Sequence, residues 1–186
     1  MSKSKETMKF SEWLAKHYKV KVRDFGALRV PWFWRKFTSD SAMALRGKEV
    51  YVRDLDKMRE KDLIVILWHE IRGHIVRQRK LKWPIYLLMY GVSKRFRCND
   101  EIAAYTYTME AAHFFGFVLD VSPEHISKKL RRNYFVGKRQ EKRALKKLRK
   151  NRSRVERGEF TEFSGFYKIW SEFSGLYKIW SDFYCK

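Results

Sequence analysis

The sequence predicts a mostly helical α+β fold that contains one small antiparallel hairpin. Two runs of β-favouring residues, 42–45 and 49–53, flank the turn-like tripeptide 46–48, which indicates a hairpin. From Met58 an apolar pattern continues without glycine or proline as far as Gly73, which indicates a buried helix. At 186 residues the chain is long enough for one domain with a hydrophobic core and a tail.

Three further helices are predicted from apolar spacing and from polar residues near their starts. These are a helix over 10–17 with Ser11 near its start, a helix from Asn99 or Asp100 toward Phe115, and a helix from Ser122 and Pro123 that ends before Gly137. Serine at the N-cap followed by proline at the first helical position is a strong start signal. The segment 30–35, crowded with aromatic residues around a proline, is expected to be irregular.

Several features favour a cytoplasmic protein without a membrane span. The first nine residues are polar and charged and contain no apolar core of a secretory signal. The most apolar stretch, 83–92, has about half of the ~20 residues that a span requires, so we expect a core helix or a loop there. Cys98 and Cys185 are expected to be free thiols, because disulfides are rare in a reducing compartment.

Charge points to polyanionic partners. The chain has 42 Lys and Arg against 21 Asp and Glu, a formal net charge of +21, which favours contact with nucleic acid or an anionic membrane surface. The segment Lys138 to Arg157 carries eleven basic and two acidic residues and predicts a solvated basic helix. Whether these cations bind nucleic acid or only promote solubility is left open by the sequence.

A ten-residue repeat follows the basic segment. Residues 163–172 and 173–182 are identical at eight of ten positions, but two short copies are too few for a solenoid core. We therefore divide the chain into a domain over 1–137, a basic helix over 138–160 and an aromatic repeat tail over 161–186. The sequence predicts no particular oligomeric state.

The chemistry-bearing motif is His69-Glu70-Ile71-Arg72-Gly73-His74. Two neutral imidazoles from one helix can bind zinc, and a glutamate beside the first can act on a water whose pKa the metal lowers toward ~7. The histidines are five residues apart, which corresponds to about 140° on an ideal α-helix. A local widening of π type would bring both rings to one side, and Gly73 offers the freedom for it.

The motif resembles the His-Glu-x-x-Gly-His signature of the dipeptidyl peptidase III family of zinc peptidases. A wider stretch, about 42–130, resembles small gluzincin-like proteins of bacteria and bacteriophages, through the His-Glu helix, Gln78 and the later Glu101 with Ala104. The resemblance implies a minimal zincin-like domain in which His69, His74 and Glu101 bind zinc and Glu70 is the general base. It also implies hydrolysis of a peptide bond in a peptide or protein substrate.

Alternatives remain for the third ligand and for the function. Asp100 and Glu110 compete with Glu101 as the third ligand, and Tyr105 or Tyr107 could donate a hydrogen bond to a developing oxyanion. No acidic partner for the histidines is evident in the sequence. The competing function is a non-catalytic scaffold of zincin type that binds nucleic acid through Lys138 to Arg157, and the competing view of the motif is a buried polar cluster.

Overall fold

The computed structural model describes residues 9–27, 42–116, 122–134, 136–159 and 172–174. These residues form a mostly helical α+β fold with one small sheet, which confirms the predicted fold class. The elements, in chain order, are α1 Phe10–His17, β1 Lys21–Asp24, β2 Ala42–Leu45, β3 Glu49–Val52, α2 Glu60–Trp68, a π-helical segment His69–Ile75, α3 Val76–Leu81, α4 Trp83–Val92, α5 Lys94–Phe114, α6 Pro123–Asn133 and α7 Lys138–Glu156. Two short 3₁₀ turns, Phe25–Ala27 and Leu55–Lys57, connect some of them.

The sheet has three strands in the order β1-β3-β2. The predicted hairpin is confirmed, because β2 and β3 pair antiparallel across the turn at 46–48. Strand β1 was not predicted and pairs parallel with β3, with Lys21 opposite Glu49. Its sequence, Lys-Val-Arg-Asp, is largely charged, and a charged edge strand shows little of the apolar alternation by which strands are predicted.

A continuous helical segment runs from Glu60 to Leu81 and comprises α2, the π-helical segment and α3. The predicted helix is confirmed, although it begins two residues after Met58 and continues beyond Gly73. Buried Gln78 connects α3 to the hairpin through two hydrogen bonds. Its Oε1 accepts from the Gly47 N–H at 2.7 Å, and its Nε2 donates to the Ala44 carbonyl at 3.1 Å.

Helix α5 begins at Lys94, so the predicted start at Asn99 or Asp100 is wrong. Ser93 is the N-cap instead, and its hydroxyl accepts a hydrogen bond from the Phe96 N–H at 3.2 Å. Asp100 lies within α5 and is fully buried, and its carboxylate forms hydrogen bonds with side chains of other elements. The other two predicted helices are confirmed as α1 and α6, the latter with Ser122 as N-cap.

The apolar stretch 83–92 forms helix α4, but the prediction that it is a core helix is wrong. Four of its large apolar side chains are exposed: Ile85 by 51%, Leu88 by 64%, Met89 by 37% and Val92 by 73%. Within the described part of the chain, no helix combines the length and the apolar character that crossing a bilayer requires.

Two apolar clusters form the core. The first lies between α1, the sheet, α2 and the π-helical segment, and it includes Phe173, which is 0% exposed and packs on the rings of Phe10 and Trp13 at 4.8 and 5.5 Å. The second joins α5, α6 and α7. The basic helix is therefore not solvated all round, since Ala144, Leu148 and Val155 bury one face of α7.

Some predictions fall on residues outside the described ones. These are the irregular segment 30–35, Cys185 and most of the two repeats. The other cysteine, Cys98, is a free and buried thiol, and burial raises its pKa.

Gly73 is needed for close packing of the π-helical segment on α5. A Cβ atom at this position would lie 2.4 Å from Ala104 Cβ and 2.8 Å from Ala104 Cα. Gly73 was expected to supply conformational freedom for the widened turn, but the contact assigns it a steric role. The absence of a side chain lets two helices approach closely beside His74.

We predict that Gly73→Ala lowers the free energy of unfolding by about 1–3 kcal/mol, the usual cost of overpacking. Gly91→Ala is the matched control: Gly91 is also helical, and a Cβ there meets nothing within 4 Å. Alanine at this control position should leave stability unchanged or raise it by up to about 1 kcal/mol.

Denaturant unfolding measures both variants. Adding Ala104→Gly to Gly73→Ala should recover part of the loss, since it removes the methyl group that the new Cβ would meet. Equal stability of Gly73→Ala and Gly91→Ala would contradict the steric role.

Candidate metal centre

The π-helical segment brings the two histidines of the motif to the same side, as the five-residue spacing required. The ring centroids of His69 and His74 are 5.3 Å apart at an angle of 62°. One ligand atom from each of His69, Glu70 and His74 can be chosen so that all three atoms lie within 4.8 Å of one another. This group could hold a metal ion, and the predicted widening of the helix is confirmed.

A hydrogen bond fixes the orientation of the His69 ring. Its Nδ1 lies 2.8 Å from Thr108 Oγ1, and the Thr108 hydroxyl donates to the Ala104 carbonyl at 3.2 Å. Because that hydroxyl proton is directed at the carbonyl, the oxygen accepts the proton of His69 Nδ1, and Nε2 keeps its lone pair. Burial lowers the pKa of His69 well below its usual value, and the charges of His74 and Lys129 lower it further, so the ring is neutral.

Asp100 orients the His74 ring. Its Oδ2 lies 2.7 Å from His74 Nδ1 and 2.5 Å from the Tyr86 hydroxyl, and its Oδ1 accepts a hydrogen bond from Arg77 at 2.5 Å. Burial acts to raise the pKa of Asp100, but the hydrogen bond and charge of His74, with Tyr86 and Arg77, lower it overall. Asp100 is thus the acidic partner that the sequence did not reveal, and it lies at Nδ1 of His74 rather than at Nε2.

Glu101 lies at the opposite edge of the His74 ring. Its Oε1 is 3.7 Å from His74 Nε2 and accepts a hydrogen bond from the Tyr90 hydroxyl at 2.6 Å. Two ligands held tetrahedrally at ~2.1 Å from one zinc ion are about 3.4 Å apart, so the observed separation fits a shared ion. Glu101 is outside the group of three whose atoms lie within 4.8 Å of one another.

Glu110 does not lie beside Glu101. The two are nine residues apart on α5, which corresponds to about 13 Å along the helix axis. Among the residues proposed as third ligand, only Glu101 therefore lies next to His74 Nε2: Asp100 binds the other ring nitrogen, and Glu110 is farther along the helix.

The electrostatic field around His74 favours a cation. Burial alone would lower the pKa of His74, but the carboxylates of Glu101, Asp100 and Glu70 outweigh it and raise the pKa to about 10. With this raised pKa the His74 ring is protonated at neutral pH, and its Nε2 proton faces Glu101. A divalent ion between His74 and Glu101 would replace that proton and satisfy the same carboxylates.

Two tyrosines of α4 stay protonated beside these carboxylates. Burial, followed by the charge of Asp100, raises the pKa of the Tyr86 hydroxyl, and burial together with Glu101 raises that of Tyr90. Both hydroxyls therefore remain hydrogen-bond donors, Tyr86 to Asp100 and Tyr90 to Glu101.

Tyr105, and not Tyr107, lies at the candidate centre. The Tyr105 ring packs edge-on against the His69 ring at 5.0 Å, and Lys129 Nζ lies 5.7 Å from its centroid. Tyr107 instead packs under the guanidinium of Arg72 at 5.6 Å. Of the two tyrosines that the sequence offered, the structure places only Tyr105 against a histidine of the motif.

Four residues of the centre were not assigned these roles from the sequence: Asp100 and Thr108 as partners of the histidines, and Tyr86 and Tyr90 as partners of the carboxylates. A partial signal exists, because Glu101, Tyr105 and Thr108 repeat at helical spacing and mark one face of α5. Nothing in the spacing shows which side chains that face meets.

Compared with protein families, with curated proteins and with solved structures, the chain matches none.

We predict that Thr108→Val lowers the affinity for divalent metal about tenfold or more, because it removes the acceptor that holds His69 Nδ1. Thr106→Val is the matched control on the same helix: Thr106 also donates to a backbone carbonyl, that of Ile102, but no contact joins it to either histidine in the described structure.

Competition with a chromogenic chelator measures the affinity of each variant. The orienting role of Thr108 would be wrong if both valine variants bound metal as tightly as the parent chain.

Proposed function

We propose that this protein is a zinc-dependent hydrolase of the metallopeptidase type. The observation that supports it most directly is the convergence of His69, Glu70 and His74 on a widened helical turn. Both histidines use Nδ1 for a protein partner, which leaves each Nε2 for a metal. Outer hydrogen bonds of this kind are general among metal-binding histidines.

The donor set favours zinc. The proposed ligands are two imidazole nitrogens and one carboxylate, from His69, His74 and Glu101, a set that would leave a fourth position for water or substrate. Imidazole suits zinc better than it suits magnesium or calcium, which prefer oxygen ligands alone. A zinc ion held here would supply Lewis-acid activation of water and polarisation of a substrate carbonyl.

The remaining residues of the centre would move protons and stabilise charge. Glu70, next to His69 on the π-helical turn and only 5% exposed, is proposed to accept the proton of the attacking water and to return it to the leaving amine. Tyr105 is proposed to donate a hydrogen bond to the oxygen that becomes negative during attack. A peptide bond is the proposed target because the motif resembles that of zinc peptidases.

A second candidate is a non-catalytic scaffold that binds nucleic acid through Lys138 to Arg157. The observation in its favour is that α7 buries an apolar face and therefore directs its cations outward, with Lys142, Arg143 and Lys146 exposed. Contact of these cations with phosphates would give an affinity that falls linearly with salt on logarithmic axes. Binding that is insensitive to salt would count against this candidate.

We predict that the purified chain binds about one zinc ion, and that Glu101→Gln reduces the zinc retained after dialysis to well below stoichiometry. Glu110→Gln is the control, since Glu110 is a buried glutamate on the same helix but about 13 Å farther along. Elemental analysis measures zinc in each protein. Full zinc retention in Glu101→Gln would exclude Glu101 as the third ligand.

We also predict that Glu70→Gln retains zinc but loses about 10²–10⁴-fold in the rate of peptide cleavage, the usual contribution of a general base. Glu156→Gln, at an exposed glutamate paired with Arg152 on α7, is the control and should cleave at the parent rate.

Fluorogenic peptide libraries measure the rate. Cleavage by Glu70→Gln at the parent rate would show that the proposed mechanism is wrong even where zinc is bound.

A further inference from the structure

The outer face of α4 is an exposed apolar stripe. Ile85, Leu88, Met89 and Val92 are 37–73% exposed, and their spacing of three, four and seven residues from Ile85 places them along one side of the helix. They are the large hydrophobic residues that stand exposed in the described part of the chain. Contiguous apolar surface of this kind marks an interaction site more often than a scattered apolar residue does.

The metal centre accounts for this orientation of the helix. Tyr86 and Tyr90 point inward from the opposite side of α4 and donate hydrogen bonds to the buried carboxylates of Asp100 and Glu101. Rotating the helix to bury the stripe would remove both donors from those carboxylates, and a buried carboxylate that loses its donors is costly. The apolar side must therefore face outward.

Positive charge surrounds the stripe. Between Glu70 and Asp100 the sequence contains eight Lys and Arg and no Asp or Glu. Lys80 and Lys82 precede α4, Lys94 and Arg95 follow it, and all four are exposed. An anionic bilayer surface offers a partner for each of these features. Its acyl chains can accept the apolar stripe, and its negative headgroups can contact the cations at both ends of the helix.

We propose that α4 docks the protein on an anionic membrane surface, with the stripe in the acyl boundary and the four flanking cations among the headgroups. A helix of ten residues is about 15 Å long, half of what a span requires, so it lies in the plane of the interface. This proposal does not depend on the proposed hydrolase activity, because the docking face is the one turned away from the metal centre.

Other partners fit this face less well. A second copy of the chain would bring the same cationic flanks against each other, in a protein whose net charge is already +21. Nucleic acid would use the cations but not a stripe of isoleucine, leucine, methionine and valine, since phosphates and base edges are polar. An anionic bilayer uses both the charges and the stripe.

Co-sedimentation of the full chain with lipid vesicles tests the proposal. We expect binding to vesicles of phosphatidylglycerol mixed with phosphatidylcholine, and much weaker binding to vesicles of phosphatidylcholine alone. Leu88→Asn combined with Val92→Asn should weaken binding about tenfold or more, because both side chains are proposed to insert. Both residues are exposed, so circular dichroism and metal content should not change.

A double variant on another surface separates docking by α4 from attraction by overall charge. Lys142→Gln combined with Lys146→Gln removes two exposed cations of α7 and should retain most of the vesicle binding. The parallel variant Lys82→Gln combined with Lys94→Gln, which removes the same number of charges beside the stripe, should bind more weakly than the α7 variant.

Three results would overturn the proposal. The first is failure of the parent chain to sediment with anionic vesicles, and the second is binding of the asparagine variant as tight as that of the parent. The third is a dimer in gel filtration that the asparagine substitutions convert to a monomer, which would show that a second copy covers the stripe. Loss of zinc or of peptidase activity in other variants would leave each of these outcomes unaffected, so the two proposals can fail separately.

Discussion

Two imidazole rings five residues apart can share one side of a helix only where the helix widens, and the site depends on that geometry. The widened turn from His69 to Ile75 presses against α5, and Gly73 permits the approach because Ala104 leaves no room for a Cβ. The same approach brings Thr108 within 2.8 Å of His69. The shape of the widened turn, its packing on α5 and the orientation of the His69 ring therefore depend on one another.

Helix α4 links the centre to the surface. Its inner tyrosines hold the carboxylates of Asp100 and Glu101, and this requirement leaves its aliphatic side chains in solvent. An exposed apolar stripe lowers solubility unless something covers it. The hydrogen bonds of Tyr86 and Tyr90 fix the inner face of α4, and the proposed docking on a membrane surface would give the outer face a function.

Local signals predicted what local forces determine. The hairpin, α1 and α6 followed from turn residues, apolar spacing and the Ser122 cap, and the widened turn followed from the helical rotation between His69 and His74. The start of α5 could not be predicted in this way, because Asp100 has the composition of a cap while its carboxylate binds His74, 26 residues earlier. Likewise, the apolar composition of α4 does not show which side of the helix faces inward. That side is set by the hydrogen bonds of Tyr86 and Tyr90 to buried carboxylates.

The protein has a large positive net charge, but the charged groups buried at the candidate centre include three carboxylates. A chain of net charge +21 nevertheless buries Glu70, Asp100 and Glu101 around one histidine, and those carboxylates raise the pKa of His74 to about 10. Burying three carboxylates is costly unless a cation offsets them, and the cations that do so are the Arg77 guanidinium and protonated His74. A metal ion at the candidate centre could take the place of the His74 proton. A basic surface favours contact with anions, whereas the buried carboxylates of the centre disfavour it. The proposed anionic partner and the proposed metal would therefore occupy different sites on the molecule.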